Sequence, residues 1–288
     1  MVLLTVAFLL PACSAIKLAY NQSPSLAYWY LDDYVDFTGV QSLQVKADMA
    51  QLQTWHRQTQ LPGYIAMLQK IETQLPGEIS PAQACKVFEE VRTQITTLSI
   101  QAAPIASTLA LTLKPAQLAK IQSKFDKENT EYREDYIQVS AAQLREKRLE
   151  MTVSRSEKLY GRLDSQQISL IGQLLDSAEF DASQFYKERL RRQQDTLKTF
   201  AKLANIKATN PELATAEQEQ NAVRELVGRS LKSPNTTYSA YQEKFMQDSC
   251  RFFSAIHAST SAPQRAKAQQ VLSGYQQDMR TLYAQRSN

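Results

Sequence analysis

Three carboxylates and an indole share one arc of a short helix near the start of the chain. In the run from Leu26 to Phe37, a spacing of 100° per residue puts Asp32, Asp33 and Asp36 within about 100° of one another, with Trp29 among them. Such an acidic and aromatic arc suits a cationic group or the arginines of a partner. An ordinary amphipathic helix has the same pattern, with Leu26, Tyr30, Leu31, Tyr34 and Val35 on its other side. A second cluster, Trp55-His56-Arg57, follows on the next helix. His56 and His257 are the only histidines, so an imidazole-based metal site needs both. No HExxH, paired Cys-x-x-Cys or calcium-loop spacing occurs, and no metal or cofactor is expected. G-x-S-x-G is missing and the glycines never cluster, which removes the nucleophile elbow and the phosphate loops. Acid–base chemistry would need Asp32, Asp33, Asp36 and His56 to converge in one cleft, as a hydrolase requires. Partner recognition by Trp29, Asp32, Asp33, Asp36, Trp55, His56 and Arg57 asks for less. It is the primary expectation, with no catalytic residue.

The cysteines speak to location. Residues 2–12 are uncharged and apolar, and they end in small residues before Cys13. At about 11 residues the run is too short to cross a bilayer, which takes roughly 20, and it has the length of a signal-peptide core. Leu10-Pro11-Ala12-Cys13 resembles the bacterial lipobox, whose cysteine is diacylated and becomes the mature N-terminus. Pro11 and the lack of a basic residue ahead of the apolar run depart from that pattern. Ser14, rather than Asp, follows the cysteine and points to sorting to the outer membrane. The sequence then divides into a signal peptide (1–12), a lipidated N-terminus and tether (13–23) and one helical periplasmic domain (24–288). Export leaves Cys85 and Cys250 in an oxidising compartment, where a bridge between them is expected; the alternative is two buried free thiols.

These residues must be positioned by helices. The chain of 288 residues is 43% hydrophobic and 22% charged, with only 7 Gly and 10 Pro. Gln, Ala, Leu, Lys, Arg and Glu abound, and these side chains lose little freedom in a helix. Ser80-Pro81-Ala82-Gln83, Asp164-Ser165-Gln166-Gln167 and Asp181-Ala182-Ser183-Gln184 read as capped helix starts, and Asn210-Pro211, Ser233-Pro234 and Ala262-Pro263 as further ones. No segment alternates with period two, so no strands are expected. The expected helices span about 24–37, 39–75, 81–100, 211–231, 237–259 and 264–285, with an apolar connector over 102–113. Leu118, Ile121, Phe125, Tyr132, Tyr136, Val139 and Leu144 form one stripe, which predicts a single helix of about 45 residues, roughly 68 Å long. With 164–204 returning beside it and an interruption expected near 177–181, the fold class is all-α: a long antiparallel helical hairpin with shorter helices packed around it. The net charge of +4 is too mild and dispersed to argue for nucleic acid. Arg145, Lys147, Arg148, Arg155, Lys158, Arg162, Lys187, Arg189, Arg191 and Arg192 do gather on the hairpin. They suit acidic or unfolded clients or anionic headgroups, or pair with neighbouring glutamates at helical spacing.

Cys13, Leu18-Ala-Tyr-Asn-Gln22, Tyr28-Trp-Tyr-Leu-Asp-Asp-Tyr-Val-Asp36, Trp55-His-Arg57, Leu61-Pro-Gly-Tyr64, Leu113-Lys-Pro-Ala-Gln117 and Cys250 with Phe253 and His257 together resemble a family of proteobacterial lipoproteins of unknown function. The resemblance covers nearly the whole mature chain. It implies an exported, lipid-anchored helical protein and supplies no activity. The helix starts Ile79-Ser-Pro-Ala-Gln83, Leu113-Lys-Pro-Ala-Gln117 and Leu163-Asp-Ser-Gln-Gln167 are more loosely similar to the Leu-Thr-x-x-Gln elements of Spy- and CpxP-type periplasmic proteins. The expected function is therefore a non-enzymatic outer-membrane lipoprotein that faces the periplasm and binds an envelope protein or client. A chaperone-like module and an envelope hydrolase are the alternatives.

Overall fold

Glutamine at the third position of a helix reaches back to the residue before the helix, and this device starts most of the helices. In a computed structural model, which describes residues 15–209 and 215–285, the chain is all-helical. The first four helices are α1 (Ala15–Asn21), α2 (Ser23–Val35), α3 (Gly39–Thr59) and α4 (Leu61–Gln74). A central helix follows, α5 (Pro81–Thr112), and then the hairpin: α6 (Pro115–Tyr136), α7 (Ala141–Tyr160), α8 (Ser165–Ser177) and α9 (Ala182–Thr209). The chain closes with α10 (Ala216–Leu231), α11 (Thr236–Ser259) and α12 (Ala262–Ala284). Reciprocal capping boxes join Thr38 to Gln41, Ser80 to Gln83, Ser140 to Gln143, Asp164 to Gln167, Thr215 to Gln218 and Ser261 to Gln264. Each satisfies two backbone donors that would otherwise face nothing.

Two pairs of these glutamines also bind each other. Gln41 and Gln117 exchange amide hydrogen bonds of 3.3 and 2.8 Å, and Gln167 and Gln264 exchange bonds of 2.8 and 2.9 Å. The same amides donate across to Thr112, Asp36, Ser259 and Arg162 carbonyls. Each pair thus ties the start of one helix to the end of another that is distant in sequence.

The hairpin is present, but both of its arms are broken. α6 ends where the Ile137 and Gln138 amides both donate to the Arg133 carbonyl, and Ser140 and Gln143 then cap a new helix. The single helix expected over 115–160 is therefore two. The return arm breaks at 178–181, and α9 packs on α6 while α8 packs on α7. The expected connector over 102–113 is instead the second half of α5. The helix runs through Pro104, which removes only one hydrogen bond, while α9 and α10 pack against α5. The helix expected over 39–75 divides at Gln60 into α3 and α4. Within the span expected as lipidated N-terminus and tether, α1 is helical and packs on α12, with Lys17 3.4 Å from Asp278, and α2 begins at Ser23. Cys13 and the expected helix start at Asn210-Pro211 lie outside the described residues.

The largest core cluster holds Leu75, Ile79, Tyr160, Ile171, Cys250, Ile256 and Leu272, drawn from both ends of the chain. Cys85 on α5 and Cys250 on α11 stand within it at disulfide distance, with Sγ atoms 1.98 Å apart and Cα atoms 5.2 Å apart. Smaller clusters form around Ala103, Ala110, Leu203 and Val223, and around Val35, Leu113 and Ile121. By length and composition, α5 is the one described helix apolar enough to cross a bilayer. Its packing against α3, α9, α10 and α11 covers part of that apolar surface, while Val91, Ile95 and Ile100 stay exposed.

Candidate binding site

An aromatic cleft of about 680 Å³ opens where the two arms break. Its walls come from Tyr132 and Tyr136 on α6, Phe180 in the α8–α9 turn, Phe185 on α9, and Tyr238 and Phe245 on α11. The rings brace one another. Tyr132 stacks on Tyr186 at 5.8 Å between centroids, and Phe185 meets Tyr238, Tyr241 and Phe245 edge-on at 6.2, 5.6 and 5.4 Å. The break itself is held by aromatic hydroxyls: Tyr132 donates to the Ala182 carbonyl (3.2 Å), and Tyr241 accepts from the Asp181 amide (2.9 Å). Burial raises the hydroxyl pKa of Tyr132, Tyr238 and Tyr241, so all three stay protonated at neutral pH.

Charge enters the cleft already neutralised. Glu188, which is 4% exposed, accepts two hydrogen bonds from Arg191 (2.9 and 2.8 Å), one from Arg192 (3.0 Å) and one from Ser233 (2.9 Å). Burial pushes its carboxyl up, but the bonds from Arg191, Ser233 and Arg192 outweigh burial and leave it below the ordinary range. Arg189 binds Glu128 (2.6 Å) and Asn129 (2.9 Å) while lying over the Tyr132 ring, and Arg192 lies over Tyr238. The lining therefore offers aromatic faces and guanidinium edges. A second cleft of about 450 Å³, between α7, α8 and α11, shares Phe245 with the first and adds Phe88, Arg148, Arg155, Leu159 and Phe252. Arg148 lies 4.3 Å from the centre of the Phe180 ring, at the junction of the two.

The residues singled out from the sequence lie elsewhere, in two separate groups. Asp32, Asp33 and Asp36 occupy the C-terminal end of α2, where they serve the fold. Asp32 accepts from the Phe37 amide (2.8 Å), and Asp33 is bonded to Lys124 of α6, which lowers its carboxyl pKa. Asp36 closes α2 in the left-handed conformation (φ 58°), with its amide on the Asp32 carbonyl and its carboxylate 3.7 Å from Lys120. Trp29 remains 63% exposed. Trp55, His56 and Arg57 stand at the other end of the antiparallel α2–α3 pair. There His56 bridges the Tyr20 and Tyr64 hydroxyls (2.9 and 3.2 Å), and Arg57 bonds Asn21 and covers the Tyr20 ring. The aspartates and His56 thus do not converge. His257, 0% exposed, donates from Nε2 to the Gly77 carbonyl (2.8 Å), which fixes Nδ1 as the acceptor of the Tyr160 hydroxyl (3.0 Å). Burial lowers the pKa of both histidines. No group of three or more His, Cys, Asp or Glu side chains suited to a metal occurs among the described residues.

The cleft was not foreseen because its aromatic residues are far apart in sequence. One signal was available: Tyr238, Tyr241 and Phe245 recur at i, i+3 and i+7 and so gather three aromatic rings on one face of α11.

The site is thus a helical scaffold with mutually braced aromatic rings and internally paired charge. The chain belongs to DUF6279, a family of unknown function, which matches residues 33–223. That span includes Asp33, Asp36, Trp55–Arg57 and the α6 and α9 walls of the cleft, and it leaves the α11 wall outside. No curated protein and no solved structure matches the chain.

Proposed function

We propose that this protein is a non-enzymatic, lipid-anchored lipoprotein facing the periplasm, and that it binds an envelope protein through the aromatic cleft between α6, α9 and α11. The cleft carries the reading. Its rings brace one another and its carboxylates are held by arginines, so the interaction on offer is with aromatic or aliphatic side chains of a partner segment. The apolar run ending at Cys13 supports the anchor, and the resemblance to proteobacterial lipoproteins supports the compartment. A photo-crosslinking residue in place of Tyr136, with Trp29 and Trp55 as comparison positions, tests the site in intact cells. One discrete crosslinked species at Tyr136, and none at Trp55, is the expected result. Equal capture at all three positions, or capture at none, overturns the assignment.

A chaperone-like role is the second reading. The observation that favours it is the adjacency of the two clefts, which share Phe245, with Arg148 and Arg155 beside apolar rings in the second. Many weak client adducts at Tyr136, together with suppression of client aggregation by the purified protein, would replace the dedicated-partner reading with this one.

A further inference from the structure

The face of α1 and α2 that points away from the fold carries a stripe of large exposed apolar side chains. Gln22, between the two helices, keeps right-handed helical geometry (φ −88°, ψ −2°), and the ladder runs through it. The Gln22 amide donates to Leu18, and the Leu26 amide donates to Gln22, both at 3.0 Å. Leu18, Gln22, Leu26, Trp29 and Tyr30 therefore recur on one side of what is in effect a single helix. Leu18 is 60% exposed, Leu26 48%, and Trp29 and Tyr30 63% each. The stripe runs about 18 Å from Leu18 to Tyr30 at 1.5 Å per residue. The other side is engaged: Tyr28 and Val35 are buried, Tyr20 holds His56, and Lys17 lies against Asp278. Leu, Trp and Tyr are the side chains that settle at the boundary between acyl chains and headgroups.

Chain length decides what meets this stripe. Only Ser14 separates Cys13 from Ala15, the first residue of α1. Two residue steps reach at most about 7 Å, so a lipid on Cys13 holds α1 at the headgroups with almost no slack. α1 cannot swing away to lengthen the leash, because it is tied to α12 through Lys17 and to α3 through Tyr20, whose carbonyl accepts from Gln53 at 2.5 Å. We infer that the Leu18–Leu26–Trp29–Tyr30 stripe lies in the outer-membrane interface, so that the protein sits flat on the bilayer instead of hanging from a flexible leash. This inference rests on the lipid-anchor reading of Cys13. The stripe ends in water at Asp33, where that residue pairs with Lys124.

Lipidated full-length protein in phosphatidylethanolamine–phosphatidylglycerol vesicles tests it, with a fraction of the lipid brominated along its acyl chains. The chain has 2 tryptophans, Trp29 and Trp55. The wild type should lose about half of its fluorescence to the brominated lipid, and Trp29→Phe should abolish that loss. Because Trp29 is exposed, the variant tests the contact without disturbing the core. The acyl mass on Cys13 is read in the same preparation. An acylated protein whose Trp29 emits as in water and is not quenched overturns the docking and leaves the anchor standing. Blue-shifted but unquenched Trp29 means that a second copy covers the stripe, and it also overturns the docking. A Cys13 without acyl chains overturns the anchor and the docking together.

Discussion

Reducing the Cys85–Cys250 bridge should lower the stability of the fold by up to about 5 kcal/mol. The bridge would close a loop with a sequence separation of 165 residues. In the chain-entropy model such a cross-link removes about 17 cal/mol/K from the unfolded ensemble, which gives the figure above at 25 °C. The native side of the balance should change little. Cys250 is fully buried among Ile79, Phe253 and Ile256, and a free thiol packs there as a small hydrophobe. Urea unfolding of the full chain, followed by circular dichroism with and without reductant, measures the difference. With a slope of about 3 kcal/mol/M, the midpoint should fall by up to about 1.7 M. Equal midpoints in both conditions would refute the reasoning. So would protein harvested from cells in which both cysteines take up an alkylating label without prior reduction.

Three further outcomes follow from the structure. Gln167→Leu takes one partner from the Gln264 amide and the side-chain donor from the Ser259 carbonyl, and it should cost roughly 1–3 kcal/mol. A double-mutant cycle with Gln264→Leu should give a coupling of about 0.5 kcal/mol or more, whereas strict additivity would mean that the amide pair contributes nothing. Glu188→Gln leaves Arg191 and Arg192 facing a neutral amide. It should lower stability by about 3 kcal/mol, read as a drop in Tm of roughly 6–12 °C. His56 and His257 have folded pKa values below the unfolded value of about 6.5, so the unfolded chain binds more protons in acid. Their contribution to stability is complete above about pH 6.5 and is lost as pH falls through the lower folded values. Tm should therefore fall between pH 7.5 and 5, and a flat profile would contradict the buried neutral histidines.

What the sequence revealed and what it hid divide along a physical line. Helix starts are local events, and Ser80, Asp164 and Ser261 could be found because each cap lies within four residues of its glutamine. Ser140-Ala-Ala-Gln143 has the same form, but it lay hidden under an apolar stripe whose spacing runs on to Leu144. Periodicity measures which face is buried, and two collinear helices can share a face across a break. The connector expected over 102–113 failed in the other direction: α5 runs on through Pro104, because packing by α9 and α10 outweighs the loss of one hydrogen bond. The acidic arc of Asp32, Asp33 and Asp36 looked like a recognition surface. In the fold its carboxylates also finish α2 and pair with α6, partners about 90 residues away that no local pattern contains. The pairing of Gln41 with Gln117 and of Gln167 with Gln264 was hidden for the same reason, although each capping box could be read on its own.

The two breaks in the hairpin create the cleft. An unbroken α6–α7 against an unbroken α8–α9 would pack side by side along its whole length and leave its apolar stripe covered. Here the arms break at the same level: the Tyr132 hydroxyl on α6 reaches the Ala182 carbonyl at the first residue of α9. The turn between α8 and α9 turns Phe180 onto Phe185, and α11 enters the gap with Tyr241 bonded to the Asp181 amide. Tyr132 and Tyr136, which would be seam residues in a continuous hairpin, become walls instead. The neighbouring arginines are held by Glu128 and Glu188, so opening the seam exposes aromatic surface without exposing unpaired charge. The capping box at Ser140 is therefore more than a local start signal. By dividing the first arm opposite the break in the second, it sets where the hairpin parts and which rings a partner meets.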